Sequence, residues 1–318
     1  MKPPYPIANA AKEKFVSIRT IRLDDPEYPK NLKNIHRPPK ALYVNGAFLP
    51  QDDVAVAVVG SRRATLYGIE MSERIGFELA ARGVTVVSGM ARGVDSAAHR
   101  GALKAHGRTI AVMGSGHGTI YPSENTELYH EIAKTGAVVT EFEHDMQPLP
   151  NNFPARNRII SGLSLGIVVV EAARNSGALI TANFAAEQGR EVFAIPGKIS
   201  SQTSGGTNDL IKDGARLVTS VDDILEELKL VELRGVPDEE REMVEEKIAQ
   251  KTKAYIYNSL TDDERKVYKV LSDEPVYIDD ILSGSGLDGA KLSKTILGLQ
   301  LKKLVKEMPG KQFVRTEN

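Results

Sequence analysis

The sequence predicts an α/β protein: a mostly parallel sheet with helices on both faces, followed by a small domain of winged-helix order. Three observations carry the prediction. From Val54 onward, short runs rich in β-branched residues alternate with longer segments of helical spacing, the signature of strand and helix taking turns along the chain. The strand runs are nearly continuously apolar rather than alternating, as expected of strands covered on both sides. The segment 258–318 then reads as three helices and a hairpin.

Taken in order, the strands are "VAVAVV" (54–59), "VTVV" (84–87), "TIAVM" (109–113), "AVVTE" (137–141), "IVVVE" (167–171), "EVFAI" (191–195) and "RLV" (216–218). The segments between them include "YGIEMSERIGFELAARG", "GVDSAAHRGALKAHG", "SENTELYHEIAKTG" and "GALITANFAAEQG". Each keeps its apolar residues on one side and ends in glycine, the usual helix stop. Residues 1–53 are proline-rich and weakly patterned, and read as an extended lead-in packed on the core. The core spans 54–228, and an acidic linker covers 229–257, where "PDEEREMVEEK" carries six acids against two bases. The final domain, 258–318, holds "SLTDDERKVYKVLSDEP", "VYIDDILSGSG" and "LDGAKLSKTILGLQLKK" as helices and "LVKEMPGKQFVRT" as the hairpin. No internal repeat is present.

Composition narrows the function classes. The chain has 318 residues, 41% apolar and 26% charged, with a net charge of −1, so any anion site is local rather than a bulk field. Cysteine is absent, which removes disulfides, thiolate catalysis and cysteine-bound zinc. No apolar run approaches the ~18 residues of a membrane span, and the start "MKPPYPIANAAKEKF" lacks the apolar stretch of a secretory signal; the expected location is the cytoplasm. Within 54–228, 12 of the 16 lysines and arginines are arginine. A guanidinium is a planar fork suited to phosphate and to stacking on bases, whereas a lysine is a point charge.

The informative residues follow the strands. "VAVAVVGSRRATLYG" opens like a dinucleotide-binding unit, with a buried strand, a glycine and a turn into a helix, but it places Arg62 and Arg63 where a second glycine would admit a pyrophosphate. "SGMARGVDSAAH", "GSGHGTIYP" and "AARNSGALITA" are further glycine- and serine-rich strand exits. Several such loops along one sheet edge make a phosphate-binding groove. "NNFPARNRIISGLS" (151–164) adds Arg156 and Arg158. Being two apart they stand about 200° around a helix, so one regular helix cannot aim both at one point; one serves the ligand and one the scaffold, or the turn is irregular. Phe153 either stacks on a base or anchors the core.

Enzyme chemistry is thinly supported. Histidines 99, 106, 117, 130 and 144 show no metal-like spacing, and no Walker loop is present. Asp95 and His99, four apart, form either an acid–base pair or, more simply, a helix cap and a packed neighbour. Glu141 and Glu171 end strands and face the expected groove, so a nucleotide-processing hydrolase would use one of them as base. In a third reading the winged helix is the working end of a transcription factor; its ten bases and ten acids weigh against that.

In this order, "VVGSRRATLYG", "VVSGMARGVDSAAHRGAL", "TIAVMGSGHGTIYPSEN", "FPARNRIISGLS", "VVVEAARNSGALITANFAAEQGREVFAIPG" and "GGTNDLIKDGARLV" resemble the core of the DNA-processing protein A family, also called Smf, over roughly Tyr28 to Leu225. The resemblance implies an extended Rossmann core that dimerises, binds single-stranded DNA in a basic pocket and loads the RecA recombinase onto it in natural transformation, without enzymatic turnover or a cofactor. It implies a pocket lined by Gly60, Ser61, Arg62 and Arg63, and by Phe153, Arg156, Asn157 and Arg158, with Lys198, Ser176 and Gly177 as weaker candidates. The polymeric ligand comes from the resemblance; spacing alone points to a phosphate edge. Some relatives carry an amino-terminal domain of the sterile-alpha-motif type, which the stretch before Tyr28 is too short to encode. The carboxyl-terminal segment resembles the winged helix of a subset of members.

Overall fold

The computed structural model describes residues 18–230, 260–272, 274–302, 304–308 and 310–315. The chain divides into two compact units, Met1–Val236 and Pro237–Asn318. The first 17 residues and nearly all of the expected acidic linker lie outside the described residues.

The first unit holds strands β1 (Arg19–Arg22), β2 (Ala41–Gly46), β3 (Ala55–Val59), β4 (Thr85–Ser88), β5 (Thr109–Val112), β6 (Ala137–Thr140), β7 (Gly166–Val169), β8 (Glu191–Ala194) and β9 (Arg216–Leu217). Its helices are α1 (Lys30–Lys33), α2 (Leu66–Ala81), α3 (Val94–Lys104), α4 (Thr126–Thr135), α5 (Asn152–Leu163), α6 (Gly177–Glu187), α7 (Gly205–Lys212) and α8 (Val221–Glu227). The strands form one sheet in the order β1-β2-β6-β5-β4-β3-β7-β8-β9. It is parallel from β6 to β9, while β2 pairs antiparallel with both β6 and β1.

Side chains on β3 alternate between two cores, as the two-residue period of a strand requires. Ala55, Ala57 and Val59 pack with Ile159 and Ile160 of α5 and Ala182 and Ala185 of α6. Val56 and Val58 pack on the other face with Ile75 and Leu79 of α2 and Ala98 and Ala102 of α3. All five β3 residues are buried, which is why the run is apolar from end to end. Each of the seven strands expected from the sequence is present, with ends shifted by a residue or two. The stretch expected as an extended lead-in instead contributes β1 and β2, with Ile21 opposite Leu42 and Val44 opposite Val139.

The second unit has α9 (Asp262–Val270), β10 (Val276–Tyr277), α10 (Ile278–Ser285), α11 (Gly289–Leu301), β11 (Val305–Met308) and β12 (Gln312–Arg315), with sheet order β10-β12-β11. Thr261 caps α9 reciprocally with Glu264: its N–H donates to Glu264 Oε2 at 2.8 Å, and the Glu264 N–H returns to Thr261 Oγ1. Val267, Ile281, Leu292, Ile296, Leu299 and Phe313 form its separate core. Three helices and a hairpin joined by a short strand make this a winged helix. Among the described residues, no helix is long and apolar enough to cross a membrane.

Candidate functional site

From β3 the parallel strands step outward both ways, β4, β5 and β6 to one side and β7, β8 and β9 to the other. Chain order reverses between β3 and β7, and the crevice beyond their carboxyl ends is where open α/β sheets take ligands. A cavity of about 660 Å³ opens there.

The turn after β3 forms one wall, with Gly60, Ser61, Arg62 and Arg63 all lining the cavity. Its shape is dictated from beneath by Glu171. The Ser61 N–H donates to the Glu171 carbonyl at 2.7 Å, and the buried carboxylate accepts from Thr65 N–H (2.8 Å), Thr65 Oγ1 (2.7 Å) and Thr203 Oγ1 (3.1 Å). A side chain at position 60 would place its Cβ 2.8 Å from that carbonyl and 2.7 Å from a Val94 methyl, so glycine is required. Arg62 and Arg63 project outward and are exposed, and among the described residues neither makes an ion pair. The Arg62 guanidinium lies over the Phe153 ring, 4.8 Å from its centroid.

Helix α5 supplies the floor through Phe153, Arg156 and Asn157, and the start of α6 adds Ser176 and Gly177. Asn157 Nδ2 donates to the Gly177 carbonyl at 3.3 Å, joining the two helices. Arg156 is 3% exposed. Its Nη1 donates to the Gly89 carbonyl at 2.6 Å and to the Val112 carbonyl, tying α5 to the ends of β4 and β5. Burial pulls this guanidinium down to about 10, opposed by the nearby carboxylate of Asp95. Asp95 is also buried, and its Oδ2 accepts from the Gly89 and Ala91 N–H groups. Burial pushes its carboxyl up, while Arg156 and the two amides pull it back. Gly89 has no room for a side chain, because a Cβ there would run into both Arg156 Nη1 and Asp95 Oδ2.

Arg158 and Lys198, expected at the same site, do not line the cavity. Arg158 lies on another side of α5, as the 200° spacing requires. It is ion-paired with Glu141 and donates to the Arg37 carbonyl. Lys198 is exposed on the loop after β8. Of the two, Arg156 borders the cavity with its Nη1 bonded to main-chain carbonyls, and Arg158 is ion-paired with Glu141 outside it. Sequence reasoning missed Tyr121, Pro148, Pro150 and Ile180, which form the apolar side of the cavity. Tyr121 sits in the glycine-rich exit of β5, where the glycines are the conspicuous residues.

The residues considered for catalysis have other work. Glu141 holds Arg158 and Glu171 holds the arginine turn; neither lines the cavity. His99 is fully buried, and its Nδ1 lies 2.6 Å from Thr109 Oγ1. That hydroxyl donates to the Val86 carbonyl, so His99 Nδ1 carries the proton and donates to it, leaving Nε2 without a partner. Burial, helped by Arg100 and Arg156, lowers His99 from 6.5 to about 3. Among the described residues, no group of three or more histidines and carboxylates is placed to hold a metal ion.

The buried neutral imidazole has a consequence for stability. As pH falls below 6.5 the unfolded chain takes up a proton that the folded chain refuses until about pH 3. The stability linked to His99 is complete above 6.5 and is lost toward 3, by about 1.4 kcal/mol per pH unit at the steepest. Urea midpoints across that window are expected to fall more steeply for the wild type than for His99→Gln; equal slopes contradict the assignment.

The profile of the family described as DNA recombination-mediator protein A matches residues 19–229. The chain belongs to that family. A second profile, the DprA winged helix domain, matches residues 253–311. Protein Smf of Escherichia coli K12 is 48% identical over 69% of this chain and 58% of its own length, so the chain spans less than two thirds of that relative. DNA processing protein DprA of Bacillus subtilis is 42% identical over 66% of this chain and 71% of its own. Among solved structures, DNA processing protein A from Streptococcus pneumoniae superposes with a TM-score of 0.63 at 42% identity, over 67% of this chain and 75% of that one. The Helicobacter pylori protein, whose structure addresses its single-stranded DNA binding mode, gives a TM-score of 0.59 at 31% identity, over 66% and 96% of the two chains.

Proposed function

We propose that this recombination-mediator protein A homologue binds single-stranded DNA at the β3–β7 cavity, without catalytic turnover, and passes incoming strands to the RecA recombinase in the cytoplasm during transformation. The observation that carries the reading is the pair of exposed guanidiniums, Arg62 and Arg63, on a turn fixed by Glu171 and facing an apolar wall. A strand of DNA offers phosphates at regular intervals with bases between them; cations beside stacking surfaces hold such a polymer without reading its sequence. The single-stranded DNA binding of the H. pylori relative supports the same ligand. The engagement of Glu141 and Glu171 in structural contacts supports a role without hydrolysis. The domain plan belongs to the proposal: 54–228 is the DNA-binding core and dimerises, and 258–318 is an auxiliary winged helix.

The test is a titration of single- and double-stranded oligonucleotides of one sequence at about 50 and 200 mM salt. Marked preference for the single strand, weakening with salt, is the expected result. Equal affinity for both forms, or turnover of a nucleoside monophosphate, would overturn the reading.

A further inference from the structure

We infer that Tyr121 is the platform on which one base of the bound single strand stacks. The inference rests on the proposed function and adds a base subsite to its phosphate turn. Phe153 is the aromatic that the sequence offers for this task, but other groups already pack around much of its ring. Arg62 lies over its ring, Arg156 stands 5.9 Å from the centroid, Tyr121 is tilted against it at 51° with 5.7 Å between centroids, and the Gly114 backbone abuts its edge. Phe153 lines the cavity but is only partly exposed, and a base stacking there competes with Arg62 for its ring.

Tyr121 is the reverse case. It lines the cavity yet remains 42% exposed, and its hydroxyl makes no hydrogen bond among the described residues. Pro148, Pro150 and Ile180 line the same cavity, the last also 39% exposed. A tyrosine this exposed is informative when its backbone is held still, because a stacking surface that is already ordered costs little entropy on binding. The loop carrying Tyr121 is tied to the loop carrying the prolines by Gly116 N–H to the Met146 carbonyl (2.8 Å), Gly118 N–H to the His144 carbonyl (2.8 Å) and Gln147 Nε2 to Thr119 Oγ1 (3.1 Å). Beyond Tyr121, Asn125 Nδ2 donates to the Met90 carbonyl at 2.8 Å. The two loops form a braced apolar slot beside the arginine turn, and a cavity of about 660 Å³ is of the size that takes a small organic ligand. A base in the slot leaves its phosphate within the compass of Arg62 and Arg63.

The experiment compares wild type, Tyr121→Ala, Tyr121→Leu and Tyr121→Phe binding to an oligothymidylate, and to the same strand with abasic sites, over a range of salt. Loss of one base–aromatic stack is expected to weaken Tyr121→Ala and Tyr121→Leu by about 5- to 150-fold on the intact strand. Tyr121→Phe should bind as the wild type does. The slope of log affinity against log salt should not change, since no phosphate contact is lost. On the abasic strand the variants and wild type should converge. Tm should fall by no more than about 6 °C, since a half-exposed ring and its contact with Phe153 are removed. Wild-type affinity in Tyr121→Ala, a leucine that substitutes fully, or a shallower salt slope would overturn the inference while the proposed function stands. Failure of the wild type to bind the intact strand would overturn both.

Discussion

Replacing Arg156 by alanine is expected to lower Tm by about 6–20 °C. The side chain is 3% exposed, bonds the Gly89 and Val112 carbonyls and faces the buried Asp95. Removing it leaves two main-chain carbonyls without this donor, and the buried Asp95 without its nearby cation. Breaking a buried charged pair costs about 3–5 kcal/mol, and each kcal/mol moves Tm by about 2–4 °C in a domain of this size. The loss has a pH signature. Asp95 is already pushed up by burial, with Arg156 pulling it back, so without Arg156 the carboxyl rises further. A group raised above its unfolded value contributes stability at low pH and loses it as pH rises through the folded value. The gap between wild type and variant, read by calorimetry, should therefore narrow on acidification. A variant with native Tm and weakened DNA binding would instead make Arg156 a ligand contact.

Arg62 and Arg63 should behave in the opposite way. Both are exposed and without ion pairs among the described residues, so truncating them leaves little unpaired. Surface changes of this kind stay within about 0.5 kcal/mol, to which Arg62 adds its contact with Phe153, worth about 0.5–1 kcal/mol. Binding is another matter. Hydrogen bonds to charged groups contribute about 1.5–3 kcal/mol each, so the double alanine variant is expected to lose about a hundredfold or more in affinity for a single strand, with its folded structure retained. Fluorescence anisotropy against a labelled oligonucleotide, run beside circular dichroism, reads both quantities.

The contrast between these arginine pairs marks how far the sequence could be read. The parallel core was legible because β3 to β7 are buried at every position and therefore almost wholly apolar. Strands β1 and β2 were not, since they lie at the antiparallel edge amid prolines and aspartates. In β2 only the alternation of buried Leu42 and Val44 with more exposed neighbours betrays the pairing. The turn at Gly60–Arg63 was legible as an anion site because glycine, serine and arginine follow a buried strand. Angular spacing separated Arg156 from Arg158, but the loops after β4 and β5 decide that Arg156 is a strut, and Glu141, from the end of another strand, decides that Arg158 is paired. Tyr121 was illegible for the same reason. Its place in the cavity depends on contacts between two separate loops, and Phe153, which has the better local context, is partly covered by residues from the turn, α5 and the β5 exit.

The central claim is that phosphates of an unpaired strand meet the guanidiniums of the β3 turn. It is tested most directly by the salt dependence of single-strand binding, compared between wild type and the Arg62→Ala, Arg63→Ala double variant. Each phosphate neutralised on a single strand contributes about −0.7 to the slope of log affinity against log salt, so the variant should be shallower by about 1.4. Parallel lines for the two proteins would place the strand somewhere other than this turn.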